Sequence, residues 1–185
     1  MSLPNPSRTH HFVPIDMLTT SYRVVGKILV SNTGMVGKLN DPNTSFMEIH
    51  DAKLARIHMP TKLADHFEVI RLSKDRLLLA SLSRREDIGP QALARGGYAS
   101  TSQHEVWITI EDFEMKGVIE WQGRFDFRVL MSEGTRDFIP LYDANVVGTL
   151  IPTLKIQSTA MLFNRTQVNL LGLLNQRKEN EKDKK

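Results

Sequence analysis

Short apolar–polar alternations and frequent turn residues run through most of the chain, and they predict strands rather than helices. Tyr22 to Val30 is β-branched around a single Gly26. Ser45 to His50 alternates, with Phe46 and Ile49 expected inside and Met47 outside; Asp51-Ala52 then reads as a turn before a strand from Lys53 to His58. Phe67–Leu72 and Arg76–Leu82 flank the polar Ser73-Lys74-Asp75, which predicts a β-hairpin. Leu77, Leu78 and Leu79 are good helix formers, but the alternation on either side favours strands. From Arg84 to Gln103 the texture becomes polar and turn-rich, with room for a short helix at 90–95, Pro at its start and Gly beyond its end. Strands resume at Glu105–Ile110 and continue to about Leu174.

These signals divide the chain into an extended N-terminal arm (1–18), a first β repeat (19–83), a polar linker (84–104), a second β repeat (105–174) and a charged, disordered tail (175–185). The repeat is internal. Tyr22-Arg-Val-Val-Gly26-Lys-Ile28 matches Phe113-Glu-Met-Lys-Gly117-Val-Ile119. Phe46-Met-Glu-Ile49-His-Asp51-Ala52 matches Phe138-Ile-Pro-Leu141-Tyr-Asp143-Ala144, and Leu72–Leu77 matches Phe163–Val168. A mid-strand glycine in each copy implies a bulge, a bend or a close approach of another segment. Asp51 and Asp143 are expected to cap tight turns with their carboxylates. The expected fold is mostly β: a tandem duplication of a small curled-sheet or barrel-like unit, packed as a pseudo-symmetric pair.

The elements Gly26-x-Ile28, Leu39-Asn40 and Phe46-x-x-Ile49-x-Asp51-Ala52 resemble an uncharacterised bacterial family of unknown function. Its signature is Gly-x-Ile…Leu-Asn…Phe-Ile-x-Leu-x-Asp-Ala. The resemblance covers residues 20–60, with a fainter second copy at 113–149 that lacks the Leu-Asn pair. It implies a recurrent bacterial β module and carries no catalytic residues across.

Charge adds little. The formal net charge is +3, but the last eleven residues hold five basic and three acidic side chains, leaving the body near +1. The chain has no cysteine, which removes disulfides, zinc–thiolate sites and cysteine nucleophiles. No apolar run reaches the ~20 residues of a membrane-spanning helix. Arg8, His10 and His11 interrupt what would be the apolar core of a signal peptide, so a cytoplasmic location is expected.

Candidate chemistry is sparse. Asn32-Thr-Gly34-Met-Val-Gly37-Lys38 has the wrong spacing for a phosphate loop and reads as a flexible inter-strand loop. His50, His58 and His66 could meet only across a sheet, and His10, His11 and His104 form no ligand spacing. Glu111, Asp112 and Glu114 cluster, with Asp112 and Glu114 expected on one strand face; Asp126 and Asp137 follow. Arg84, Arg85 and Arg95 form a candidate anion contact. Trp107 and Trp121 fit core or interface roles. No catalytic, cofactor-binding or metal residue is assigned, and no cofactor is expected.

The leading reading is therefore a non-catalytic binding or assembly module, a homo-oligomer joined through strand edges or bound to a protein partner. Ile151–Ile156 and Val168–Leu174, poor in charge, are the expected edges. The alternatives are nucleic-acid or nucleotide binding on a small barrel surface, and a metal- or acid-dependent enzyme.

Overall fold

The computed structural model describes residues 10–89, 101–133 and 136–174. Ten strands form one antiparallel sheet in the order β10-β6-β7-β8-β9-β5-β1-β2-β3-β4. They are β1 (His11–Leu18), β2 (Tyr22–Val30), β3 (Phe46–Arg56), β4 (Leu63–Ser73), β5 (Leu79–Leu82), β6 (Thr101–Ile110), β7 (Phe113–Gln122), β8 (Phe138–Gly148), β9 (Lys155–Asn164) and β10 (Val168–Leu173). Among the described residues one α-helix, α1 (Gly34–Leu39), lies between β2 and β3, and a π-helical turn, Val129–Glu133, precedes β8. No helix among the described residues is long and apolar enough to cross a membrane.

The sheet is not closed into a barrel, so the expected barrel-like units give way to one continuous open sheet. The cause is β5. The expected hairpin of 67–72 with 76–82 does not form; a single 3-10 turn at Lys74–Arg76 carries the chain away from β4, and β5 pairs with β1 and β9 instead. His11–Leu18, read as part of an extended arm, is β1 and sits between β2 and β5. Residues 101–104, assigned to the linker, begin β6, while Arg85–Ile88 form a 3-10 turn. The helix proposed at 90–95 and the tail at 175–185 lie outside the described residues.

Strand connectivity is the same in the two halves: β5-β1-β2-β3-β4 and β10-β6-β7-β8-β9. So is the local geometry of the matched residues. Val25 faces Lys53 and Lys27 faces His50, so Gly26 opposes two residues, Asp51 and Ala52. Lys116 faces Asn145 and Val118 faces Tyr142, so Gly117 opposes Asp143 and Ala144. Asp51 (φ 52°) and Asp143 (φ 48°) take left-handed backbone, which aspartate tolerates better than most residues. The Asp-Ala pair is thus a bulge inside one strand and not a turn with a carboxylate cap. The extra residue lies on the partner strand, and glycine is the residue that makes room for it. A Cβ on Gly26 would stand 2.8 Å from the His50 carbonyl oxygen, and one on Gly117 2.8 Å from that of Tyr142.

Two hydrophobic cores lie on opposite faces of the sheet, because neighbouring residues of the central strands feed different cores. Ala80 and Leu82 of β5 and Ala160 and Leu162 of β9 join the core of Val13, Ile28, Met47 and Ile49. Leu79 of β5 and Met161 and Phe163 of β9 join that of Ile108, Met115 and Val146. All four residues of β5 are buried, as a strand covered on both faces requires. The segment read as a flexible loop at 32–38 is instead α1, whose Met35, Val36 and Leu39 close the first core. In β3 Ile49 is buried as expected, but the other two positions are reversed: Met47 is buried and Phe46 is 55% exposed.

Candidate assembly edges and the polar cleft

β4 is one edge of the sheet. It pairs with β3 alone, from Phe46 opposite Ser73 to Ala55 opposite Leu63, and its other side meets no strand among the described residues. Eleven residues long, it is exposed over most of both faces. Leu63 (59%), Phe67 (40%) and Val69 (44%) are large apolar residues in solvent, and only Ile70 and Leu72 pack on the first core. Interleaved charges temper the edge: Arg71 pairs with Glu48 at 2.9 Å, and His66 Nε2 lies 2.7 Å from Asp51 Oδ1. The His66 hydrogen bond holds the Asp51 carboxyl below its ordinary range, with Lys27 and Lys53 helping.

β10 is the other edge. Among the described residues it pairs only with β6; it carries no charged residue, and Leu170 and Leu173 are exposed. Sequence reasoning expects this edge. It also names Ile151–Ile156, where a turn leads into β9; Lys155 and Ile156 pair with β8, and β5 covers the other side of β9 only at 160–163. The missed edge is β4, whose charges disguise it.

Beside α1 is a shallow polar cleft of about 710 Å³, lined by Ser31, Thr33, Lys38, Asn40, Asp41 and Arg136 among others. Much of its polarity serves the fold. Asn40 Nδ2 donates to the Phe138 carbonyl (3.0 Å) and its Oδ1 accepts from the Phe138 N–H (2.9 Å). β7 has already stopped pairing with β8 at Tyr142, so this side chain stands in for a missing strand neighbour and ties the halves together. The backbone N–H of Asn43 lowers the Asp41 pKa. Lys74 Nζ donates to the Asp41 carbonyl (3.0 Å) and to Thr44 Oγ1 (2.7 Å), and desolvation pushes its ammonium pKa down.

The two described arginines of the candidate anion contact, Arg84 and Arg85, each face a carboxylate. Arg84 makes a two-point pair with buried Asp87 (3.0 and 3.2 Å). Arg85 pairs with Glu120 and lies 3.9 Å over the Tyr142 ring. Arg95 is outside the described residues. Burial, with Glu120 adding to it, raises the Tyr142 pKa.

The acids are dispersed. Glu111 and Asp112 form the β6–β7 turn, with Glu111 at φ 48°, so Asp112 does not share a strand face with Glu114. Asp126 Oδ1 accepts from the Arg128 N–H, and Asp137 lies 3.8 Å from Arg165. Among the described residues no group of three or more His, Asp or Glu could hold a metal ion. His50 meets the Phe12 ring edge-on at 5.1 Å.

Trp107 is a partly exposed residue of β6. Trp121 belongs to a surface aromatic group that sequence reasoning overlooks: Phe125 lies 5.4 Å from Trp121, 4.9 Å from His104 and 5.0 Å from Phe127. The signal was present in Arg124-Phe-Asp-Phe-Arg128, where aromatics alternate with charge. No protein-family model, curated protein or solved structure matches this chain.

Proposed function

We propose that this chain is a non-catalytic assembly module that joins copies of itself through the edges of its sheet. The observation that carries this reading is β4, an eleven-residue edge strand with Leu63, Phe67 and Val69 in solvent. Unpaired edge amides and carbonyls recruit another strand, and each apolar side chain buried on docking contributes about 1.5–3 kcal/mol. The module is a doubled one in this reading. Shared strand order, the paired bulges at Asp51 and Asp143, and the matched 3-10 turns at Lys74–Arg76 and Arg165–Gln167 support duplication of one unit of the bacterial type that residues 20–60 resemble.

Sedimentation velocity at micromolar concentration tests it. The wild type should run as a species heavier than 21.1 kDa, and Val69→Lys, an exposed position, should shift it toward monomer without changing the circular dichroism spectrum. A wild-type monomer at every concentration removes the proposal.

The aromatic group favours a second reading, single-stranded nucleic-acid binding by stacking on Phe125 and Phe127 beside Arg124. Phe127 is exposed. A labelled oligonucleotide should then bind in low salt and lose affinity in Phe127→Ala; no binding at low salt excludes this alternative.

A further inference from the structure

We infer that the two sheet edges are complementary to each other rather than each to itself: β10 of one copy adds to β4 of the next, in the register already used by β5 and β9 within the chain. The inference rests on the assembly reading above and specifies its geometry.

The internal junction is the template. β5 is the fifth strand of the first half and β9 the fourth strand of the second. They pair as Leu79–Phe163, Ala80–Leu162, Ser81–Met161 and Leu82–Ala160. The third repeat block aligns Leu72 with Phe163 and Leu77 with Val168. Carried across that alignment, the junction becomes Leu170–Leu72, Leu171–Arg71, Gly172–Ile70 and Leu173–Val69.

The exposures agree with a junction that is complete in one place and waiting in the other. The β5 quartet and residues 160–163 of β9 are all buried. Their counterparts in β10 and β4 are half-buried or exposed, with Leu170, Leu173 and Val69 in solvent. The side-chain phase agrees as well. Leu79 reaches across to the core of the other half, where Phe163 also lies. Leu170 holds the corresponding place in β10 without such a core. Adding β10 to β4 would set it beside Leu72, which packs on the first core. β10 brings no charge, so Arg71 keeps its partner Glu48 when Leu171 arrives opposite it.

Such a contact is heterologous, because two different surfaces meet. Assemblies of this kind close into rings or grow as filaments, whereas β4 pairing with its own copy would stop at a dimer.

The cysteine-free chain makes the test direct. Val69→Cys and Leu173→Cys place thiols at exposed positions that the register sets opposite each other. Under mild oxidation neither variant alone should cross-link, their mixture should give a two-chain disulfide product, and the double variant should give a ladder. Val69→Lys and Leu170→Lys should each be monomeric alone, and their mixture should form a heterodimer and nothing larger. Self-cross-linking of Val69→Cys, or a double variant bridged only within one chain, overturns the inference. A wild-type monomer at all concentrations removes the assembly reading and this pairing together. A wild-type oligomer whose mixed thiol variants fail to cross-link overturns the pairing alone.

Discussion

Hairpin β3–β4 and hairpin β8–β9 are built on one plan and live in different surroundings. Each begins with a phenylalanine, carries an Asp-Ala bulge opposite a glycine, and ends in a 3-10 turn with a buried cation, Lys74 or Arg165. The backbone ties are the same: the Lys74 N–H donates to Ser45 (2.9 Å) and the Arg165 N–H to Asp137 (2.8 Å), each the residue before the phenylalanine. Yet Phe138 is 2% exposed and Phe46 55%, and the last five residues of β9 are buried whereas β4 is largely open. The difference lies in the neighbours: Phe138 sits in the first core with Met35, Val36 and Leu39 of α1. β9 has β5 on its outer side, and β4 has none among the described residues. Local sequence sets strand, bulge and turn; place in the sheet sets burial.

Paired substitutions can break or sharpen this comparison, most cleanly in the Val69→Lys background so that assembly does not enter. The largest contrast is expected at the phenylalanines. Phe138→Ala should cost about 3–5 kcal/mol in urea denaturation, the usual loss for a large core side chain. Phe46→Ala should stay within about 0.5 kcal/mol. Equal costs would mean that the two hairpins share their surroundings after all.

The glycines come next. Gly26→Ala and Gly117→Ala each push a methyl against a carbonyl oxygen at 2.8 Å, so each should lose about 1–3 kcal/mol. One of them proving neutral would show that the bulges do different work. Asn40→Ala should cost about 1–3 kcal/mol, because the Phe138 N–H and C=O both lose their partner. The second half has no matching Asn, so this is a test of what distinguishes the halves.

Reading the chain in advance succeeds where the determinant is local and falters where it is not. Strand character, the paired glycines and the Asp-Ala positions are all legible, because alternation and backbone permissiveness act over a few residues. In β3 Ile49 is read correctly, but Phe46 and Met47 are exchanged, since Phe46, an aromatic residue, looks like core. Nothing local says that its strand will stand beside an uncovered edge. The hairpin expected at 73–75 fails for a related reason. A short polar connection fits a reversal, but Leu77 to Leu82 are buried on both faces and find better partners in β1 and β9. The β4 edge is hidden behind Asp65, His66, Glu68 and Arg71, the charges that make it look like an ordinary surface.

The smallest effect concerns one of those charges. The Asp51 carboxyl is held low by His66, so its contribution is present above the unfolded carboxylate pKa and is lost as pH falls through the lower folded value. Asp51→Asn keeps a residue that accepts left-handed backbone and removes the titration. Its stability should therefore decline less than that of the wild type on acidification below about pH 4. An unchanged acid profile would place the ion pair among decorations of the edge.

β5 is four residues long, and by chain it belongs to the first half; through Leu79 it also fills the core of the second. Severing the polypeptide after Ile88 would leave a C-terminal piece missing one wall and an N-terminal piece with a bare strand. Neither fragment should fold by itself, yet mixed together they should regain the native structure, so the whole molecule is expected to melt in a single step.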